Sequence, residues 1–95
     1  MATKRLEVAW MAQADVRRIT DFYAEAAGLH VSEKANQAIA QAILHIASGI
    51  VTHRPGKRGT RECVLDKFPF IIIYRVYPSQ IRIIRVLHQA RSYFN

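Results

Sequence analysis

Residues 70–88 read FIIIYRVYPSQIRIIRVLH. Two runs rich in β-branched and aromatic residues flank the short break Pro78 to Gln80. Isoleucine and valine side chains are stiff at χ1 and suit a pleated surface, so both runs read as strands. A connection this short leaves room only for antiparallel neighbours. TRECVL, ending at Leu65, is a third short strand just ahead of them. The C-terminal half is therefore a β-meander, and whatever precedes it must cover a sheet.

What precedes it has a different period. Val16, Ile19, Tyr23 and Ala26 or Ala27 recur at three- and four-residue steps, with Arg17, Arg18, Asp21 and Glu25 mostly on the other face. That is an amphipathic helix, and Gly28 is a natural stop for it. Ser32 suits the N-cap of a second helix, whose stripe is Ala35, Ile39, Ala42 or Ile43, Ile46 and Ile50. Pro55 and its flanking glycines end that helix. LEVAW, Leu6 to Trp10, is a short leading strand. The expected fold is α+β in the order β-α-α-β-β-β, with a helical hairpin on one face of a small, twisted antiparallel sheet. At 95 residues the chain is one domain, 1–95. Trp10, Phe22, Tyr23 and the isoleucines are its expected core or hairpin contacts.

Charge is segregated. Residues 1–52 carry five basic and five acidic side chains and residues 53–95 nine and two, so the second stretch holds the whole net charge of +7. The densest part is HRPGKRGTRE, His53 to Glu62, which displays Arg54, Lys57, Arg58 and Arg61 around two glycines. A one-sided basic half points to a polyanionic partner, whether nucleic acid or acidic protein. Arg75, Arg82, Arg85 and His88 must be distributed over the strands. Simple alternation puts Arg82 and Arg85 on opposite faces, one of them at an edge or beside Glu62 or Asp66. Arg61 and Glu62 are the expected structural members of the basic turn, and Arg61 would pair with a carboxylate.

Other chemistry is sparse. His30, His45 and His53 have no metal-ligand spacing with one another or with Cys63, so no metal or cofactor is expected. Cys63, the single cysteine, reads as inert core. No apolar run approaches the roughly 20 residues of a membrane span, and MATKRLEVAW has no signal-peptide core, so the expectation is a cytoplasmic chain away from membranes. A simple nucleic-acid-binding module finds no support, because no helix-turn-helix and no aromatic residues interleaved with the basic ones are visible.

RPGKRGTRECV, then FPFIIIYRVYPSQIRIIRVLHQARSYF, resembles the C-terminal half of the RelE/ParE toxin superfamily. WMAQADVRRITDFY resembles that family's first helix, with its A-x-x-D-hydrophobic core. The GTRE turn and the RVLH ending are closer to the ParE branch. The resemblance implies the toxin of a type II toxin–antitoxin, or plasmid stabilisation, module that inhibits growth. Its implied partner is a cognate acidic antitoxin, with a toxin dimer or a toxin–antitoxin heterotetramer as plausible assemblies.

The branches imply different targets. ParE-like toxins poison DNA gyrase and need an adhesive surface without acid–base chemistry. RelE-like toxins cleave mRNA on the ribosome, which requires activating the 2′-hydroxyl and protonating the leaving oxygen. That ribonuclease branch places basic residues along the second strand, and an arginine three residues before the tyrosine of the third. The matching positions hold Glu62, Val64 and Ile71. ParE-like gyrase poisoning is therefore the expected activity and mRNA cleavage the alternative, so whether the chain is an enzyme depends on the branch. For cleavage the candidate catalytic residues are His88, Arg91 and Tyr93. For docking on target or antitoxin they are Arg54, Lys57, Arg58, Arg61, Arg82, Arg91, Tyr93 and Phe94.

Overall fold

A computed structural model describes residues 4–50 and 52–89. In chain order the elements are β1 (Arg5–Val8), α1 (Trp10–Ala27), α2 (Leu29–Ser48), β2 (Arg54–Pro55), β3 (Arg61–Val64), β4 (Phe70–Val76) and β5 (Gln80–His88), with a single 3₁₀ turn at Lys57–Gly59. The strands form one five-stranded sheet in the order β1-β5-β4-β3-β2. This is the α+β arrangement read from the periodicity, with β2 added inside the basic segment.

The β3-β4-β5 meander is antiparallel, as its short connections require. The sheet as a whole is mixed, because β1 lies parallel to β5, with Leu6 opposite Ile81 and Val8 opposite Ile83. Two helices intervene between β1 and the meander, and a connection of that length allows a parallel return that a tight turn does not.

The helices bury one stripe each against one sheet face. Ala12, Ile19, Ile39 and Ile46 meet Cys63, Phe70, Ile72, Tyr74, Ile81, Ile83 and Val86 in the core. Tyr23 packs against it from the side, edge-on to both Phe68 and Phe70. Trp10 and Phe22 are not core: they are 76% and 63% exposed. Trp10 opens α1 rather than ending β1. Phe22 is the residue before Tyr23, hence about 100° round the helix from it, and it touches that ring only at the stripe's edge.

Three local expectations change. Ser32 does not cap α2, which starts directly after Gly28. Its buried hydroxyl instead donates to the Thr20 carbonyl across the hairpin at 2.7 Å. α2 ends at Ser48, ahead of Pro55, because Gly49 takes a left-handed conformation (φ 71°) and returns its N–H to Ile46. Ile50 therefore lies beyond the helix and is 81% exposed.

The third change decides the site. β4 and β5 slip register between Ile73 and Tyr74: Ile73 faces Arg85 while Tyr74 faces Ile83. Ile84 is the extra residue of a β-bulge. Side-chain parity on β5 inverts there, so Ile81 and Ile83 point to the helices before it and Val86 after it. Ile73 and Arg75 stand two apart on β4, on one face, and their partners Arg85 and Arg82 share it. The alternation that would separate Arg82 from Arg85 is cancelled.

Candidate functional site

The basic turn is built by close approach. A Cβ added to Gly56 would sit 2.5 Å from the Thr60 hydroxyl and 2.9 Å from Glu62 Cγ, so any other residue must displace one of those side chains. The Gly56 N–H donates to the Thr60 carbonyl at 2.8 Å, and the Thr60 hydroxyl donates to the Lys57 carbonyl at 2.7 Å. Inside the turn Arg58 adopts a left-handed backbone (φ 58°, ψ 38°), which costs a side-chain-bearing residue about 1–2 kcal/mol. The Arg75 guanidinium holds it there by donating to the Arg58 carbonyl.

Among the described residues the expected docking residues are spread over several places. Arg54 donates to the Glu62 carboxylate at 2.8 Å beside the β2–β3 ladder. Arg61 registers with Tyr74 and so lies on the helix side, where it donates to the His53 carbonyl at 3.2 Å and, among the described residues, meets no carboxylate. Lys57 and Arg58 are exposed at the tip. Arg82 pairs with Glu7 across the β1–β5 register, not with Glu62 or Asp66. Arg91, Tyr93 and Phe94 lie outside the described residues.

Behind the turn sits a polar latch that sequence reasoning missed. His53 Nδ1 and the Tyr74 hydroxyl share a hydrogen bond of 2.7 Å, and the His45 ring stands 6.3 Å away. Burial, and then the neighbouring His45, lower the His53 pKa. Burial is also the main cause that raises the Tyr74 phenol. Cys63 is buried and its thiol is pushed up, first by burial and then by Asp66. His88 is far from this latch. It registers with Phe70 on the helix side, its ring edge-on to that phenyl at 5.7 Å. It stands six positions along β5 from Arg82, roughly 18–20 Å of strand.

The sheet face away from the helices has two zones. At one end Val64, Ile71 and Leu87 stand side by side. At the other a groove of about 760 Å³ is lined by Arg58, Arg75, Arg82 and Arg85, with Trp10 and Tyr77 in its walls. Arg85 is anchored from behind by Asp15, a 2%-exposed carboxylate that accepts from its guanidinium at 2.8 and 3.0 Å. That hydrogen bonding is the main reason the Arg85 pKa is raised. Asp15 also takes the Val86 N–H at 2.9 Å, serving the β5 edge where β1 has ended. The A-x-x-D pattern thus carries a buried alanine and the carboxylate that fixes β5. Among the described residues no group of three His, Cys, Asp or Glu could hold a metal ion, and no helix is long and apolar enough to cross a membrane.

The model of the family described as the ParE toxin of the type II toxin–antitoxin system parDE matches residues 6–93. The chain belongs to the ParE toxin family. It is accordingly a toxin of a type II toxin–antitoxin system, within the wider RelE/ParE superfamily. Among solved structures it is similar to a chain of the chromosomal ParDE system from P. aeruginosa, at 27% identity and a TM-score of 0.82, over 90% of this chain and 96% of that one. It shares its fold with a chain of the toxin–antitoxin complex RelBE2 from Mycobacterium tuberculosis, at 15% identity and a TM-score of 0.64, over 96% and 97% of the two. A search of curated proteins returns no match.

Proposed function

We propose that this ParE-family chain poisons DNA gyrase and is held inactive by a cognate acidic antitoxin. The observation that carries the reading is the apolar row Val64, Ile71 and Leu87 on the open face. Two of the positions where the ribonuclease branch places basic residues lie in that row. The third, Glu62, is engaged by Arg54.

Proton transfer to and from a ribose–phosphate bond is most often carried by histidine, whose charge changes near neutral pH. None of the four histidines lies on the open face: His30 and His45 are on α2, His53 bonds Tyr74, and His88 packs on Phe70. Arginine stays protonated and serves as an anion holder, not a base. The face is therefore suited to adhesion. The four-arginine groove supplies charge for acidic protein or DNA, and the exposed Trp10 supplies an aromatic anchor of the kind that dominates interface energies.

The test is controlled induction in bacteria lacking the antitoxin, with DNA and protein synthesis labelled in parallel. DNA synthesis should fail first. Purified gyrase mixed with the chain should then accumulate cleaved DNA. If protein synthesis stops first while DNA continues, mRNA cleavage replaces this reading, and His88, Arg91 and Tyr93 become the residues to mutate.

A further inference from the structure

Along the sequence Tyr77 is the one aromatic residue two positions from an arginine of β4 or β5, just past Arg75. The fold brings a second beside them. Trp10 comes from the start of α1 and Tyr77 from the residue just after β4, and both line the same groove as Arg58, Arg75, Arg82 and Arg85. Glu7 is the carboxylate in that lining, and it is bound to Arg82, while Asp15 answers Arg85 from behind. Among the described residues, four guanidiniums against two carboxylates leave the groove with a net charge of +2.

We infer that this groove holds a single strand of DNA, with the guanidiniums on phosphates and Trp10 and Tyr77 stacking on bases. The planar guanidinium fork matches phosphate oxygens two at a time. Arginines flanked by accessible aromatic rings are the composition that binds unpaired strands, because every base has a face to stack and a paired duplex hides it. An acidic peptide would satisfy the arginines and leave both rings without a role. An indole held 76% exposed at the rim of a cationic groove is poorly explained by packing. The turn adds a second sign of specialisation. Arg58 is kept in a left-handed backbone that glycine would adopt freely, and Arg75, another groove arginine, holds it there. The choice of DNA over RNA rests on the gyrase reading: a poison seated on cleaved gyrase would meet unpaired DNA ends, and the groove would add a contact with nucleic acid to the contact with protein.

The test is fluorescence anisotropy of labelled dT12 with the full chain, without gyrase, with rU12 and polyglutamate as competitors. Contact with two to four phosphates predicts a log–log salt slope of about −1.4 to −2.8, which is a roughly 7- to 50-fold loss of affinity between 50 and 200 mM salt. Trp10→Ala should weaken binding about tenfold without changing that slope. Arg75→Gln and Arg58→Gly should each weaken it and flatten the slope by about 0.7. Arg17→Gln, on the exposed face of α1, should change nothing. No binding of dT12, or binding indifferent to Trp10, overturns the inference. So does displacement by polyglutamate at matched charge, which would make the groove a peptide site, or by rU12 at lower concentration than unlabelled dT12, which would make it an RNA site. The gyrase cleavage assay separates the two readings. Trapped gyrase without dT12 binding sinks only the groove, and dT12 binding without trapped gyrase sinks only the poison.

Discussion

Replacing Asp15 with alanine removes a carboxylate that answers three residues at once. It accepts from Arg18 one turn along α1, from the Arg85 guanidinium in two hydrogen bonds, and from the Val86 N–H of β5. The carboxylate is 2% exposed and the Arg85 side chain 27%, so neither partner is fully screened by water. Breaking a buried ion pair by deleting one member costs about 3–5 kcal/mol, because the other charge stays behind unanswered. The Val86 amide is orphaned by the same change, a loss of about 1–3 kcal/mol if no water reaches it. These terms overlap at one site and do not add in full. Arg18 contributes little, since its side chain is 67% exposed and free to hydrate. The expected cost of Asp15→Ala is therefore about 4 kcal/mol, a large share of the stability of a domain this size.

Urea unfolding of the full chain checks it. With a slope of about 1–1.5 kcal/mol per molar, the midpoint should fall by about 3 M at unchanged slope. The double variant Asp15→Leu, Arg85→Met should recover more than half of the loss, because apolar side chains of similar volume can replace a buried ion pair. A loss below about 1 kcal/mol for Asp15→Ala, or no recovery in the double variant, would refute the claim that this ion pair joins α1 to the bulged strand.

Other outcomes follow from the loop and the latch. Gly56→Ala must push Thr60 or Glu62 aside, since its Cβ would lie 2.5 and 2.9 Å from them; a thermal melt should show a loss of about 1–3 kcal/mol. Arg58→Gly should move the melt the other way, by up to about 1 kcal/mol, as the left-handed strain is relieved against the greater freedom of the unfolded glycine. His53 titrates below its ordinary 6.5 in the folded chain, so the unfolded chain binds more protons as pH falls through that value. Its contribution is complete above pH 6.5 and is lost as pH falls through 6.5 towards the depressed folded value. Urea midpoints of the native chain should accordingly fall between pH 7.5 and 5, and His53→Gln should shrink that fall. Ile83→Ala, at a fully buried position between β1 and β4, should cost about 2–5 kcal/mol in the same urea assay.

Local chemistry made much of this protein legible from its residues. The three- and four-residue apolar spacing of 16–27 and 35–46, against the β-branched runs of 70–76 and 81–88, is enough to separate hairpin from meander. Those periods are properties of neighbouring residues, so no tertiary information is needed to read them. The basic turn was visible for the same reason, whereas the A-x-x-D signature of α1 was noticed only through the resemblance to the family's first helix. The candidate site was less legible. Arg61 was expected at the docking edge, but strand parity sends it to the helix side. His88 was a candidate catalytic residue for mRNA cleavage, and it lies on the helix side, edge-on to Phe70.

What only the tertiary structure decided comes down to one inserted residue and one distant helix end. The bulge at Ile84 depends on how β4 and β5 slide past each other, a choice made by the packing of Tyr74, Ile83 and Val86 against the helices. It places Arg82 and Arg85 on the same face, against the alternation rule. Trp10 reaches that face because β1 returns parallel beside β5 and hands the chain to α1 at its rim. Sixty-five residues separate Trp10 from Arg75 in the sequence, and a pattern with a period of two or 3.6 residues carries no information at that range.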